Sequence, residues 1–361
     1  MALIRGRPRL SFEARAFQEF VLGLKLLWTT DLYAVVAEEA AAARKSSASE
    51  LEAALESSEA YRLFSWLERH LQQFKYLGRW GILHEIRQES DALSRLLVEA
   101  ATTRPELLTL HPEIQLPDYY VATDFHQHPG GIWSDDHDAF AYEIGTGTTM
   151  PVIDREDFHT RYAREVADRF HPASILDAGC AFGKTTLAMK RENEEADVIG
   201  FDISAPCLKL GHLRANEAGL DVSFVQTLAE DLALDDATID VVTGAMLLHE
   251  LPPPALRAAL REANRVLRPG GHVAYLDFYA VPGAAVGEFF HLGHSRRNNE
   301  PFMETLLEMD LEAELIEAGF TNVEISPFEE TDGALISGDG LPGAWRFPWT
   351  LIVAQKPREV V

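Results

Sequence analysis

The most informative part of the sequence is Ile175-Leu-Asp-Ala-Gly-Cys-Ala-Phe-Gly-Lys-Thr-Thr-Leu187. An apolar strand runs into a turn that contains Gly179 and Gly183, and a helical pattern follows. Glycine has no Cβ, so the backbone at such positions can approach a ligand closely. A turn of this kind lies at the carboxyl end of a parallel strand, where ligands bind in open α/β sheets. The stretch therefore predicts a small-molecule site at this turn.

The spacing of the two glycines narrows the class of ligand. A dinucleotide fingerprint is G-x-G-x-x-G and a phosphate-binding loop is G-x-x-x-x-G-K-[ST], whereas this turn has G-x-x-x-G. Asp177, two residues before Gly179, would suit a cationic amine better than a pyrophosphate. A nucleotide-dependent oxidoreductase stays open as an alternative, and the spacing argues against it.

A second acidic residue follows the next strand, in Val198-Ile-Gly-Phe-Asp-Ile-Ser204. Asp202 lies about 20–25 residues after the first strand, where an acid accepts both hydroxyls of a ribose. Proteins that bind NAD share this feature, and an aspartate here could also cap the next helix. Alone, Asp202 indicates a nucleoside site without specifying its ligand.

The sequence on either side of these motifs divides into parts. Residues 10 to about 110 have apolar positions at helical spacing, whereas 111–151 are rich in Pro, His and Gly and lack periodicity. Residues 155–357 alternate strands and helices, which indicates a mostly parallel, doubly wound sheet with helices on both faces. The last two strands have no helix between them, so they could pair as an antiparallel hairpin. The predicted strands are 174–178, 197–201, 222–225, 239–244, 272–276, 323–326 and 350–354.

Two further motifs complete a recognisable set. They are Leu228-Ala-Glu-Asp-Leu232 with Ala245-Met-Leu-Leu-His-Glu-Leu251, and Arg265-Val-Leu-Arg-Pro-Gly-Gly-His-Val-Ala-Tyr-Leu-Asp277. In this order and spacing, the motifs resemble the class I S-adenosylmethionine (SAM) dependent methyltransferases. The likeness is strongest to the small-molecule branch that includes the ubiquinone and menaquinone methyltransferases. It covers roughly residues 155–357 and implies a seven-stranded Rossmann-like methyltransferase domain, assigned to 155–361. The residue patterns before it predict a helical N-terminal domain over 1–115 and a connecting loop region over 116–154.

The resemblance also implies SAM as cofactor and a role for each matching position. The residues it places around SAM are Asp177, Gly179, Cys180 and Gly183 at the methionine part, Asp202 at the ribose, Ile203, Ala229 and Glu230 at the adenine, Ala245 and Met246 beneath the cofactor, and Tyr162 closing over it. Two positions depart from the family pattern. Ala181 stands where the family usually has glycine, and Leu228 stands where it often has an acid or Asn, for which Glu230 could substitute.

Histidines are the expected source of a general base. Methyl transfer from a sulfonium is an in-line displacement, in which the enzyme mainly aligns donor and nucleophile. A hydroxyl or an acidic carbon as nucleophile also needs a base, often His. The candidates are His126, His128, His249, His291 and His294. Each could instead be a structural, hydrogen-bonded residue. Four of them, all but His249, could converge on zinc or iron, but no metal is predicted.

Charge and composition restrict the partners. Among 361 residues the net charge is −25, which repels phosphate backbones and argues against a nucleic-acid substrate. Two cysteines and no run of about 18 apolar residues indicate a reduced, cytoplasmic setting without a membrane span. The N-terminal region could serve as a dimerisation device, so a homodimer is compatible with it.

These features predict transfer of a methyl group from SAM to a small molecule. The expected acceptor is an apolar or aromatic hydroxylated compound, methylated on oxygen or carbon. Methylation of a thiol or an amine, and a regulatory protein that binds SAM without turnover, stay open as alternatives. The Gly-rich segment 331–348, with Trp345 and Phe347, could form a lid over the pocket or simply join the last two strands.

Overall fold

The computed structural model describes residues 7–147, 158–279, 281, 283–330 and 341–358. Within these ranges the chain forms one sheet of eight strands, in the order β1-β4-β3-β2-β5-β6-β8-β7. The strands are β1 (Leu108–Thr109), β2 (Ser174–Ala178), β3 (Asp197–Asp202), β4 (Ser223–Gln226), β5 (Ile239–Ala245), β6 (Leu267–Phe278), β7 (Thr321–Pro327) and β8 (Trp349–Gln355). The predicted α/β class is confirmed.

The sheet is parallel except at one edge, where β8 runs antiparallel to both β6 and β7. The predicted hairpin between the last two strands is thus confirmed. The prediction of seven strands is wrong by one, since β1 adds a two-residue strand beside β4. This strand comes from the N-terminal half, and two residues are too few to give the period-two pattern by which a strand is recognised.

The helices of the second half follow the predicted alternation. They are α9 (Phe158–Phe170), α10 (Lys184–Glu192), α11 (Ala205–Ala218), α12 (Pro253–Val266), α13 (Ala284–Asn298), α14 (Met303–Glu308) and α15 (Leu311–Glu317). Local chemistry sets their ends. Asp310 caps α15 by accepting the Ala313 amide at 3.0 Å, and Gly319 follows that helix with φ +95°. Gly219 ends α11 in the left-handed region, which glycine adopts without steric cost.

The N-terminal region is helical, as predicted. Its helices are α1 (Phe12–Leu27), α2 (Tyr33–Ala43), α3 (Ala48–Leu55), α4 (Glu59–Tyr76), α5 (Ile82–Gln88) and α6 (Ser90–Thr102). Ser11, Ser47 and Ser58 each cap a helix by accepting an amide three residues ahead. Helices α1 to α4 share one hydrophobic core cluster with α13 and with the sheet, whereas α5 and α6 pack with α8 and α11 in another. The N-terminal region is therefore built into the fold around the site.

The connecting region is not loop throughout. It contains α7 (Asp118–Val121), a single 3-10 turn over Phe125–Gln127 and α8 (Asp138–Thr146). Helix α8 buries Ala139, Phe140 and Ala141, a run without the spacing that signals an amphipathic helix. The division of the chain at 115 and 154 stays a prediction.

The helical stretch Phe12–Ala43 consists of α1 and α2, which a short π-helical turn connects. Its 32 residues are long and apolar enough to cross a membrane by length and composition, and 33% of its most apolar window is buried in the fold. The expected absence of a membrane span is therefore not confirmed.

Candidate active site

The glycine turn lies at the edge of the sheet where the strand order reverses. Strands β3 and β4 extend to one side of β2, and β5 and β6 extend to the other. Crevices form at such a switch point, outside the carboxyl ends of the strands. Gly179 and Gly183 have φ of +63° and +83°, and Ala181 between them has φ +46°. The turn is thus left-handed at three positions, one of which carries a methyl group.

Asp202 ends β3 directly beside this turn. One carboxylate oxygen accepts the Ala181 amide at 2.8 Å, and the other accepts the Ser204 amide at 2.8 Å. Burial raises the pKa of this carboxyl, although both amide hydrogen bonds oppose the shift. A carboxylate oxygen has two lone pairs, so each oxygen keeps acceptor capacity toward the crevice.

A cleft extends from the turn along the ends of β3 and β4. Asp202, Ile203, Leu228, Ala229 and Glu230 line it. Tyr119 of α7 closes its far side and donates a hydrogen bond to Glu230 Oε1 at 2.7 Å. The other oxygen, Glu230 Oε2, is buried and has no hydrogen-bond partner among the residues that the structure describes. It could accept a hydrogen bond from an exocyclic amine of a base.

The residues predicted around the cofactor fall into two groups. Those that line the cleft or the chamber next to it are Gly179, Asp202, Ile203, Ala229, Glu230, Met246, Cys180 and Ala245. Asp177, Gly183 and Tyr162 line neither cavity, and each has a supporting position. Thr186 and Thr243 donate to Asp177 at 2.7 and 3.0 Å. Gly183 begins α10, and the Tyr162 hydroxyl donates to the Ala274 carbonyl within the sheet.

A larger chamber of about 460 Å³ adjoins the cleft. Gly179, Ala181 and Met246 line both cavities, so the glycine turn forms the boundary between them. Eight aromatic side chains line the chamber beside several charged ones, namely Trp28, Tyr142, Phe158, Phe182, Phe278, Trp345, Phe347 and Trp349. Phe278 and Phe347 stack with ring centroids 4.2 Å apart. Such walls exclude water and suit a flat, apolar ligand.

Trp28 shows that the N-terminal helices complete the chamber. Its ring lies 5.3 Å from that of Trp345, and the Trp345 amide donates to the Thr29 carbonyl at 2.8 Å. The chamber is therefore shared between the first thirty residues and the last twenty. The proposed lid segment 331–348 is only partly described, since 331–340 lie outside the described residues.

His249 stands in the chamber as part of a buried pair. Its Nδ1 lies 2.6 Å from Asp277 Oδ1, and Asp277 also accepts the amides of Leu248 and Phe278, both at 2.7 Å. Burial pulls the pKa of His249 down, but the charge and hydrogen bond of Asp277 outweigh it and raise this pKa to about 9. Because Nδ1 is engaged by Asp277, Nε2, which lies 3.6 Å from Glu250 Oε1, is the nitrogen that a ligand could reach.

His126 lies between two carboxylates on the same chamber wall. Its Nδ1 is 2.6 Å from Glu300 Oε1, and its Nε2 is 3.3 Å from Glu250 Oε1. Desolvation lowers the pKa of His126, but both glutamates raise it, and the net result is about 10. His126 also has φ +54°, a strained conformation for a residue with a side chain, of a kind that clusters at functional sites.

The other three candidate histidines differ in access to the chamber. His294 lines it and is held by Glu68, whose Oε1 is 2.8 Å from Nδ1. His128 and His291 are buried but line neither cavity. Burial lowers the pKa of His128 to about 4 and that of His291 to about 3. The structure brings His126, His249 and His294 together and leaves His128 and His291 behind the wall.

Sequence reasoning missed three contributors to the chamber. Glu250 follows His249 directly, so the pair His249-Glu250 was a usable signal. Glu300 and Trp28 gave none, because each lies far along the chain from the motifs and resembles an ordinary surface acid or helix-core residue.

Comparison with known proteins agrees with this geometry. Residues 175–271 match a family model described as a methyltransferase domain. The chain is 28% identical over 201 residues to the ubiquinone biosynthesis O-methyltransferase of Vibrio parahaemolyticus, covering 51% of this chain and 81% of the relative. It is 29% identical over 195 residues to the enzyme of the same name from Aliivibrio fischeri, covering 51% and 82%. Among solved structures, the YcgJ protein from Bacillus subtilis aligns with a TM-score of 0.42 and 20% identity, over 56% of this chain and 99% of that one.

A Rossmann-like sheet with a G-x-x-x-G turn and an acid at the end of the next strand indicates a nucleoside-binding site at the switch point of the sheet. Residues 175–271 thus match a methyltransferase domain, and this match, together with the named relatives, supports a SAM-dependent methyltransferase with SAM as the cofactor.

Proposed function

We propose that this enzyme methylates a hydroxyl group of an aromatic small molecule bound in the chamber. The observation that carries the proposal is the His249–Asp277 pair, which faces an aromatic chamber that adjoins the glycine turn. The relatives named above are O-methyltransferases by name, which supports oxygen as the atom methylated.

In this proposal His249 is the general base. SAM supplies an electrophilic methyl group when bound. The pKa of about 9 leaves most of the His249 imidazole protonated at neutral pH, so the neutral form that accumulates toward pH 9 is the base. Its Nε2 takes the proton of the acceptor hydroxyl, while Asp277 fixes the orientation of the ring and stabilises the imidazolium that forms. The aromatic walls orient the acceptor and keep water out, which favours the aligned geometry that the displacement requires.

The cofactor residues have matching proposed roles. Asp202 accepts the ribose hydroxyls through the free lone pairs of its carboxylate, and Glu230 Oε2 accepts the amine of adenine. Gly179 and Cys180 line the methionine end, where the cleft opens into the chamber. Asp177, Gly183 and Tyr162 act from behind, by holding the turn and the strand ends in place.

A second candidate acceptor is a cationic amine. Two carboxylates, Glu250 and Glu300, lie in the same chamber as the aromatic walls, and this combination attracts cations. His126 already supplies a positive charge between them, and its pKa of about 10 keeps it charged at neutral pH. An aromatic hydroxyl compound is therefore the better fit.

An acceptor panel tests the proposal. It contains phenols, together with the amines and thiols of the same ring shapes, and formation of S-adenosylhomocysteine reports turnover. We expect turnover with phenols that His249→Gln loses. Turnover with amines or thiols alone would replace this acceptor class, and cofactor binding without turnover on any acceptor would support a regulatory role.

The assembly and location are also proposals. Exposed apolar side chains on α1 and α4, among them Phe20, Leu63 and Trp66, form a surface that suits a second copy of the chain. Within Phe12–Ala43, the buried residues Val21 and Lys25 fit a core helix of a soluble, cytoplasmic enzyme. Light scattering in the absence of detergent checks both points.

A further inference from the structure

One wall of the cofactor cleft comes from the connecting region. Helix α7 and the 3-10 turn after it supply Tyr119, Tyr120, Phe125 and His126 to the lining of the cleft. All four precede residues 175–271, which match the methyltransferase family model. The cleft is therefore closed by a part of the chain that this match does not include.

The connecting region is tied to the strand ends on both sides of this wall. The His111 amide donates to Gln226 Oε1 at the end of β4, at 3.0 Å. Further along the chain, the Ser204 hydroxyl, two residues after β3, donates to the Ile132 carbonyl at 2.7 Å. Because the segment between these two anchors crosses the cleft, α7 is held over the carboxyl ends of β3 and β4.

The two tyrosines of α7 serve different ends of the cleft. Tyr119 donates to Glu230 at one end. Tyr120 is the next residue, and one residue along a helix turns the side chain by about 100°. Burial, and after it the negative charge of Asp202, raises the pKa of the Tyr120 hydroxyl well above its usual range. This hydroxyl therefore stays protonated and is a hydrogen-bond donor at the Asp202 end.

The Tyr120 hydroxyl has nothing to donate to. Its oxygen is buried and has no hydrogen-bond partner among the described residues, although Asp202 and Glu250 line the same cleft. The ring of Phe125, 6.0 Å away between centroids, packs beside the Tyr120 ring. Buried tyrosine hydroxyls usually have a partner, and a buried polar group without one costs free energy. The orphaned hydroxyl therefore points to a ligand in the cleft.

The structure assigns Tyr120 as a cofactor-binding residue whose hydroxyl donates a hydrogen bond to a ribose hydroxyl oxygen of SAM. A ribose hydroxyl both donates and accepts, whereas an ionised carboxylate only accepts. Asp202 can thus satisfy the ribose hydrogens, and Tyr120 supplies the donor that a ribose oxygen still needs. This inference rests on the cofactor roles proposed for Asp202 and Glu230, and it makes the connecting region part of the cofactor site.

Tyr120→Phe in the full-length chain tests this role without any acceptor. Calorimetric titration uses S-adenosylhomocysteine and its 2′-deoxy and 3′-deoxy forms. We expect the variant to bind S-adenosylhomocysteine about 3- to 10-fold more weakly than wild type. The two proteins should bind equally well the deoxy form that lacks the contacted hydroxyl. Tyr76→Phe is the matched control and should keep the wild-type Kd, because the Tyr76 hydroxyl is also buried without a partner among the described residues but Tyr76 lines neither cavity.

Thermal unfolding of the free proteins gives a second measurement. Tyr120→Phe should unfold at or above the wild-type temperature, because its hydroxyl has no hydrogen bond to lose. Tyr119→Phe should unfold at a lower temperature, since it removes the hydrogen bond to Glu230.

The outcomes separate this role from the other proposals. An unchanged Kd in Tyr120→Phe, an equal loss with all three ligands, or a lower unfolding temperature of the free variant would overturn the role of Tyr120. A folded wild type that binds none of the ligands would refute the cofactor site and this role with it. The expected binding without methylation of any phenol would refute the proposed acceptor and leave the role of Tyr120 standing.

Discussion

The proposed cofactor cleft and the proposed acceptor chamber share the glycine turn but are built in opposite ways. Most of the cleft comes from short motifs between 177 and 246, each at the end of one parallel strand. The chamber gathers Trp28, His126, Glu300 and Trp345 from most of the chain length. A conserved reaction needs a fixed cleft, whereas an acceptor chamber assembled from loops and added helices can change without disturbing it. The two halves should therefore respond separately to substitution.

His249→Gln should give the largest separation. Loss of a positioned general base lowers kcat by about 10²–10⁴-fold, while the Kd for S-adenosylhomocysteine should stay at the wild-type value because His249 lines only the chamber. Steady-state kinetics and calorimetry measure the two effects. His70→Gln on α4 serves as the control. A cofactor Kd that moves with kcat would show that the two halves are not independent.

Lys25 should make the chamber side of the fold sensitive to pH. It is buried beside Gln72, to which its Nζ donates at 2.7 Å. Burial lowers its pKa from 10.5 to about 7, although Glu68 opposes the shift. Between these two values the unfolded chain binds the proton and the folded chain does not, so stability rises with pH across this window.

Replacing this lysine isolates its contribution. Lys25→Met should reduce the rise in the free energy of unfolding across this pH window by up to a few kcal/mol. The variant should exceed wild type in stability by the largest amount below pH 7. Denaturant unfolding of both proteins at several pH values measures the difference. An equal slope in wild type and variant would mean that Lys25 stays charged in the folded state.

Trp345→Ala should affect acceptor binding alone. The substitution removes a wall that Trp28 and Phe347 also contact, and loss of this apolar surface should raise the acceptor KM by ~10-fold or more. The cofactor Kd should not change. Phe182→Ala is the contrasting variant. Phe182 lies at the turn where the two cavities meet, so this substitution should weaken binding of the cofactor as well as binding of the acceptor.

Ala181→Gly should give the smallest effect, on the cleft. Ala181 has φ +46°, and a side chain in this region costs about 1–2 kcal/mol. Glycine removes this cost, but the greater conformational freedom of its unfolded chain offsets part of the gain. We therefore expect the free energy of unfolding to rise by about 0.5–1 kcal/mol. Thermal unfolding checks it. Destabilisation would mean that contacts of the methyl group outweigh the strain.

The same contrast explains what the sequence could predict. Strand β2 was predicted with its observed limits, and Asp202 and Glu230 were placed by motifs that lie next to strands in the chain. The carboxyl ends of parallel strands meet by topology, so local patterns are enough there. Glu300 meets His126 only through the packing of α13 on the N-terminal helices, and no local pattern encodes that contact. Local sequence likewise does not distinguish His128 from His249. Packing alone places His128 behind the chamber wall and His249 inside the chamber.

Calorimetric titration with S-adenosylhomocysteine, comparing wild type with Asp202→Ala, tests whether this edge of the sheet binds the cofactor. We expect micromolar binding by the wild type and binding weaker by at least about 10-fold in the variant, because a buried carboxylate that would accept hydroxyl hydrogen bonds is lost. A well-folded wild type that does not bind, or a variant that binds equally well, would contradict the assignment of this edge of the sheet as the cofactor site.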